Sequence, residues 1–195
     1  MKTSFFDAVI DIVLPKKAHA QDATFVLKKE KVPGSFSFYE TVIPDSKEPF
    51  VAVSLSKLVP VKWGQNFDVL IPGSGKMLGS GKVLYPDAQK PTGKEAKKRT
   101  KLLPQLLKNK IEMIAVLARE KGIVGLREKE LLEFAPITRK TLLPLSQKLE
   151  SEGQIRILSF SPLFCSLRQV LNSSKRKSPC SYGAITRPTR MSRAY

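Results

Sequence analysis

Histidine is almost missing from this chain, and cysteine nearly so. A single histidine, His19, stands among 195 residues. A histidine-based zinc site or a Ser-His-Asp triad is therefore nearly excluded unless another chain supplies residues. The two cysteines, Cys165 and Cys180, are too few for a disulfide scaffold and fit no metal-ligand spacing. No apolar run reaches the roughly 18 residues of a membrane span. Acid is the scarcest charge: 17 Asp and Glu face 34 Lys and Arg, for a net +17. Such a balance says nothing about fold, but it favours an anionic partner, nucleic acid or an acidic membrane surface.

The excess charge is concentrated. Between Lys90 and Lys110 there are eight basic residues and one acid, Glu95; from Ser166 to Tyr195 there are seven basic residues and none acidic. These two stretches hold 14 of the 17 excess charges, and the remainder is nearly balanced. With 42% hydrophobic residues the chain can build a core.

The N-terminus imitates a secretory signal: Lys2, an apolar run from Phe5 to Leu14, then Ala18-His19-Ala20. Asp7 and Asp11 interrupt that run, and charge is costly in an apolar segment. Strand alternation accounts for both, with Phe6, Ala8, Ile10, Ile12 and Leu14 on one face and the aspartates on the other.

Further strands follow at turn-marked spacing. Thr24 to Lys31 closes at Pro33-Gly34, and Ser35 to Ile43 ends at Pro44-Asp45. Val51, Val53 and Leu55 alternate with small or polar residues. Asn66 to Ile71 leads through Pro72-Gly73-Ser74-Gly75 into Lys76 to Tyr85. Six short strands without an intervening helix predict an antiparallel barrel or sandwich over residues 1–88. Residues 89–100 are polar and lysine-rich and read as a basic linker.

Helical periodicity then begins. Leu103, Leu106, Leu107, Ile111, Ile114, Leu117 and Ala118 share a face, with Pro104 in the first turn and Gly122 as the cap. A short helix from Arg127 to Phe134 stops before Pro136. A third, Leu142 to Glu152, takes Thr141 as its N-cap. Gln154 to Phe160 alternates as a strand, and Leu163 to Leu167 returns. Three helices and a hairpin over residues 101–167 are the winged-helix order. From 168 to 195 periodicity vanishes among Ser, Arg, Lys and Pro, which predicts a disordered basic tail. The expected class is α+β: a small β-barrel, a winged helix and a tail.

Few motifs carry chemistry. Gly73 to Lys82 looks like a phosphate loop, but Gly81-Lys82 precedes Val83, and Lys76 stands where the first glycine belongs. The loop also leads into a strand, so no helix N-terminus would face a phosphate. Glu128, Glu130 and Glu133 read as the wet face of a short helix. The Lys90–Lys110 run, with Lys97, Lys98 and Arg99, is either a solvated linker or a non-specific phosphate contact. Thr138, Arg139, Lys140 and Lys148, with Arg156 on the hairpin, either face nucleic acid or simply cover an amphipathic helix.

Phe50 to Pro86, "PFVAVSLSKLVPVKWGQNFDVLIPGSGKMLGSGKVLYP", resembles the end of the third domain of selenocysteine-specific translation elongation factors. There an alternating strand, Gly-Asp-Arg-Phe, a second strand, a turn and Gly-Gly/Ala-Gly-x-Val-Leu-x-Pro follow in order. Here the counterparts are Gly64-Gln65-Asn66-Phe67 and Gly79-Ser80-Gly81-Lys82-Val83-Leu84-Tyr85-Pro86. "FFDAVIDIVLPK" is similar to that domain's first strand. The resemblance covers residues 4 to about 165 and implies a barrel of the translation-factor third-domain type. It implies RNA as partner (selenocysteyl-tRNA, with a selenoprotein mRNA hairpin as a further candidate), the ribosome, no membrane and a cytoplasmic site. The family's GTPase domain has no counterpart here, so the expectation is a non-enzyme without cofactor, with a separately encoded GTPase portion as a candidate partner. Related factors lay the turn before the Gly-x-Gly strand against the tRNA T-stem, which by resemblance assigns RNA contact to Gly73, Ser74, Gly75 and Lys76. The competing readings are a winged-helix DNA-binding regulator and a non-functional gene remnant. At about Ser166 the resemblance stops within a strand, as either a basic arm or a reading-frame slip would produce.

Overall fold

A computed structural model describes residues 2–12, 21–39, 49–86 and 92–167. His19, the expected end of the third strand at Ile43 and the expected tail from 168 lie outside them. Six strands form a closed antiparallel barrel: β1 (Lys2–Ile12), β2 (Gln21–Leu27), β3 (Glu30–Phe38), β4 (Phe50–Pro60), β5 (Asn66–Leu70) and β6 (Met77–Tyr85). The order around the barrel is β1-β4-β3-β2-β5-β6, and β6 pairs back onto β1. Closure leaves the barrel without an edge strand.

The alternation of β1 puts Phe6, Ala8 and Ile10 inside, as the sequence predicts. They meet Phe25, Phe36, Phe67, Val69 and Val83 in one apolar cluster. Phe6 and Phe67 pack edge-on at 5.6 Å, the arrangement that ring quadrupoles favour.

The second strand does not close at Pro33-Gly34. The chain turns earlier, between Leu27 and Glu30, where Lys28 takes a positive φ of 61°. Pro33 and Gly34 lie inside β3, opposite Thr24 and Ala23. A Cβ on Gly34 would stand 2.3 Å from the Ser54 carbonyl oxygen, so the glycine serves close strand approach and not a turn.

Four helices follow: α1 (Gly93–Lys108), α2 (Lys110–Lys121), α3 (Glu128–Phe134) and α4 (Arg139–Ser151). Residues 93–100, expected within a linker, are the first half of α1. Its start is fixed at Thr92, whose backbone N–H donates to the Glu95 carboxylate at 2.9 Å. The single helix expected across Leu103 to Ala118 is two, broken at Asn109. The Asn109 side chain accepts the Glu112 N–H at 2.9 Å and caps α2. Pro104 therefore lies well inside α1 and not in a first turn. The N-cap of α4 is Thr138, not Thr141, because the Thr141 hydroxyl turns back to accept the Thr138 N–H at 3.3 Å. Pro144 accordingly falls beyond the first turn.

A three-stranded sheet completes the helical part: β7 (Leu126–Arg127), β8 (Ile155–Phe160) and β9 (Leu163–Leu167), in the order β7-β9-β8. The two-residue β7 has no sequence signal of its own. No helix among the described residues is long and apolar enough to cross a membrane.

Barrel and helices share one core. Val9, Phe50, Trp63 and Leu84 from the barrel join Leu103, Leu106, Met113, Leu131 and Leu142. At this seam Trp63 donates its indole N–H to the Leu106 carbonyl at 3.0 Å and its backbone N–H to the Phe134 carbonyl at 2.7 Å. Trp63→Phe removes the indole bond, strands a buried carbonyl and leaves a void. Urea denaturation should register a loss on the order of 2–4 kcal/mol. A loss below about 0.5 kcal/mol, the scale of an ordinary surface change, would show that the indole does not hold the seam.

Candidate nucleic-acid interface

The turn between β5 and β6 is small and open. Ile71 N–H donates to the Lys76 carbonyl at 2.8 Å, and Gly75 N–H to the Ile71 carbonyl at 3.2 Å. Gly73 and Gly75 take φ of 74° and 65°, which other residues adopt with strain. Gly73, Ser74, Gly75 and Lys76 are all exposed. A backbone this bare admits close approach of a phosphate chain, to which Lys76 adds a charge. The pairing of Leu70 with Met77 puts the turn at one end of the hairpin. Trp63 and Tyr85, which hold the helices, lie at the other, so the turn is not brought together with the cations of α4.

The three cations of α1 have different fates. Lys97 is exposed. Lys98 reaches Glu120 of α2 at 3.1 Å. Arg99, expected among the phosphate contacts, turns inward instead. Its side chain is only 19% exposed, its guanidinium lies 3.3 Å from the Asp7 carboxylate, and it stacks over the Tyr85 ring at 4.1 Å. The contact with Asp7 is at ion-pair distance but out of hydrogen-bond alignment. Arg99 is thus part of the seam between barrel and helices.

Asp7 accounts for that orientation. The sequence places it on the strand face opposite Phe6, Ala8 and Ile10; α1 covers that face and Asp7 is fully buried. The Tyr39 hydroxyl donates to it at 2.6 Å. Burial pushes the carboxyl up from 3.8 to about 6, while the Tyr39 hydrogen bond and the Arg99 charge pull it partly back. Burial beside the Asp7 charge also pushes the Tyr39 phenol upward.

On α4 the cations divide again. Arg139 Nε lies 3.2 Å from Glu128 of α3, and its Nη2 donates to Ser161 Oγ at 3.0 Å. It ties α4 to α3 and to the β8–β9 turn. Lys140 and Lys148 are exposed on α4, and Arg156 is exposed on β8. Beside Arg139 lies a cleft of about 540 Å³, lined by Lys62, Glu128, Lys129, Leu132, Glu133 and the Ser161-Pro162 turn. Its acids and bases alternate. Glu128 is already committed, accepting the Leu163 N–H at 2.7 Å.

The structure adds a cationic surface that charge counting along the chain overlooks. Lys28, Lys29 and Lys31 are exposed around the β2–β3 turn, and Lys57 reaches over from β4 to pair with Glu30. Lys2 of β1 pairs with Pro60 at the same end of the barrel. A shallow cleft of about 380 Å³ floored by Leu27, Val59 and Pro60 lies among them. The signal in the sequence is the run Lys28-Lys29-Glu30-Lys31, which is too short to stand out against the long basic stretches.

Burial, with the Glu150 charge, pushes the Cys165 thiol up to about 11, so it carries almost no thiolate at neutral pH. No group of three or more metal-capable side chains comes together there.

No protein-family model matches the chain, and no curated protein matches it in sequence. A bacterial selenocysteine-specific elongation factor, EF-Sec, is similar in its crystal structure, with a TM-score of 0.61 and 19% identity. The fold is translation-factor-like. The similarity covers 90% of this chain and 25% of EF-Sec, so the chain spans about a quarter of that protein's length. It runs through barrel and helices alike. At this identity the likeness is one of fold.

The Asp7 cluster predicts a pH dependence. A raised carboxyl means that the folded chain holds the proton more tightly than the unfolded one. The stability it confers is present below pH 3.8 and is lost as pH rises through about 6. Relative to Asp7→Asn, the wild type should lose about 2–3 kcal/mol between those limits and then level off. Urea midpoints of the two proteins across this range would check it. A constant difference would mean that Asp7 does not titrate there.

Proposed function

We propose that this chain is a non-catalytic, RNA-binding part of a translation elongation factor of the selenocysteine-specific kind. The observation that carries the reading is the fold likeness to EF-Sec, which extends over 90% of the chain and so includes both the barrel and the helical part. The run α2-β7-α3-α4-β8-β9 supports treating the helical part as a winged helix, a helix-turn-helix variant whose hairpin is the wing. Exposed lysines at the barrel end, the bare Gly73–Lys76 turn, and Lys97, Lys140, Lys148 and Arg156 supply the phosphate contacts. Selenocysteyl-tRNA is the proposed partner, with an mRNA hairpin and the ribosome as further ones, in the cytoplasm. GTP hydrolysis, on this reading, is not carried by these residues.

Salt dependence tests the reading. Contact with about six phosphates should give a log–log slope of affinity against salt near −4 to −5 on RNA, with duplex DNA bound more weakly than a tRNA. Affinity that is flat in salt would remove the RNA reading, and preference for duplex DNA would turn it toward a DNA-binding regulator.

Nucleotide binding is a separate check. Millimolar GTP with magnesium should leave the thermal midpoint unchanged, because a ligand of the folded state alone must raise it. A shift of several degrees would locate a nucleotide site in this chain.

A further inference from the structure

Two grooves meet on the helical part. The cleft of about 540 Å³ beside Arg139 and a second, of about 420 Å³, share Glu128, Lys129 and Pro162 on their walls. Together they make one channel, from Lys62 on the barrel to Arg127 and Phe164 on the small sheet. Cations outnumber acids along it: Lys62, Arg127, Lys129 and Arg139 stand against Glu128 and Glu133. Glu128 is engaged internally, with the Leu163 N–H at 2.7 Å and with Arg139 at 3.2 Å. Lys62 donates to the Leu132 carbonyl at 3.1 Å, which holds its ammonium at the channel wall. Arg127 and Lys129 are exposed.

Phe164 gives the channel an apolar wall. It is the register partner of Arg127 across β9 and β7, and residues directly opposite on paired strands share a face of the sheet. Ring and guanidinium line the same groove. The ring lies against Gly125, where a Cβ would come within 2.6 Å of its carbons, and it remains partly exposed. A channel with positive charge along its length and one aromatic wall fits a polyanion that also carries flat apolar groups. Unpaired RNA is such a ligand, with phosphates for the cations and a base for the ring. A duplex keeps its bases stacked on one another and has no base face to lay on Phe164.

We propose that this channel is the track of an unpaired RNA segment, its backbone running past Lys62, Lys129 and Arg127 and one base resting on Phe164. The assignment rests on the RNA-binding reading above and narrows it: the helical part takes looped or single-stranded RNA and not a continuous duplex. Arg139, tied to Glu128 and Ser161, positions the channel wall and does not itself need to touch the RNA.

The test uses a single-stranded RNA of about 12 nucleotides substituted with 5-iodouridine, irradiated on the full chain, with the adduct located by peptide mass. The adduct should fall on Phe164. Unlabelled single strand should suppress it, and the same sequence as a duplex should not. Arg127→Gln and Lys129→Gln, both at exposed positions, should each lower the single-strand salt slope by about 0.7. Phe164→Leu, which keeps an apolar cover over Gly125, should lose the adduct and weaken single-strand binding by about 5- to 150-fold. Should that variant fail to fold, the two charge variants and the adduct position decide the matter. Salt-sensitive RNA binding with adducts elsewhere and an unchanged slope in Arg127→Gln and Lys129→Gln would overturn the channel and leave the RNA reading standing. Equal suppression by the duplex would overturn it too. Displacement of the RNA from wild type, but not from Arg127→Gln, by a peptide of alternating Glu and Leu would assign the channel to an acidic protein segment instead. Failure to bind any RNA would remove the RNA reading and this inference together.

Discussion

Trp63 stands where two hydrophobic cores would otherwise end. It follows β4, and its indole N–H and backbone N–H both donate to carbonyls of the helical part, one on α1 and one at the end of α3. A small barrel of six short strands buries its inner face easily, but β1, β4 and β6 also carry apolar residues outward. Val9, Phe50 and Leu84 need a cover, and α1 and α2 provide it. Each carbonyl that Trp63 satisfies would be costly to bury alone. The seam is therefore directional as well as apolar, and it fixes how the helices sit on the barrel.

That constraint decides the fate of charges nearby. Asp7 is buried because α1 lies over β1, and Arg99 is drawn in because Asp7 is there. The arginine then stacks on Tyr85, which meets Phe134 edge-on at 5.3 Å. A buried ion pair of this kind contributes little net stability. It does penalise any packing that leaves either charge without its partner. Arg99 thus acts in the architecture, and the exposed cations of α1, α4, β8 and the barrel end remain for an anionic ligand.

Those remaining cations form separate surfaces. The β5–β6 turn offers bare backbone, the β2–β3 end offers lysines around a shallow apolar floor, and the helical part offers exposed Lys140, Lys148 and Arg156. A polyanion long enough to touch several would be held by many weak contacts, each sensitive to salt.

The sequence by itself determined that strands precede the helices, the inward face of β1, the end of α2 at Gly122 and the inward Ile155 and Ile157 of β8, because period-two and helical alternation are local properties of a chain packed on one side. Composition alone located the long basic stretches. Tertiary structure decided the rest. Pro33-Gly34 reads as a turn, yet a neighbouring strand's carbonyl requires the glycine where it is. Residues 93–100 read as linker because lysines mask a helix whose start depends on one carboxylate reaching back to Thr92. Asp7 reads only as opposite the apolar face of its strand, because alternation reports which residues share a face and not what lies over it. Burial of that face, and with it the roles of Asp7 and Arg99, arises from contacts between residues some ninety positions apart, which no local pattern encodes.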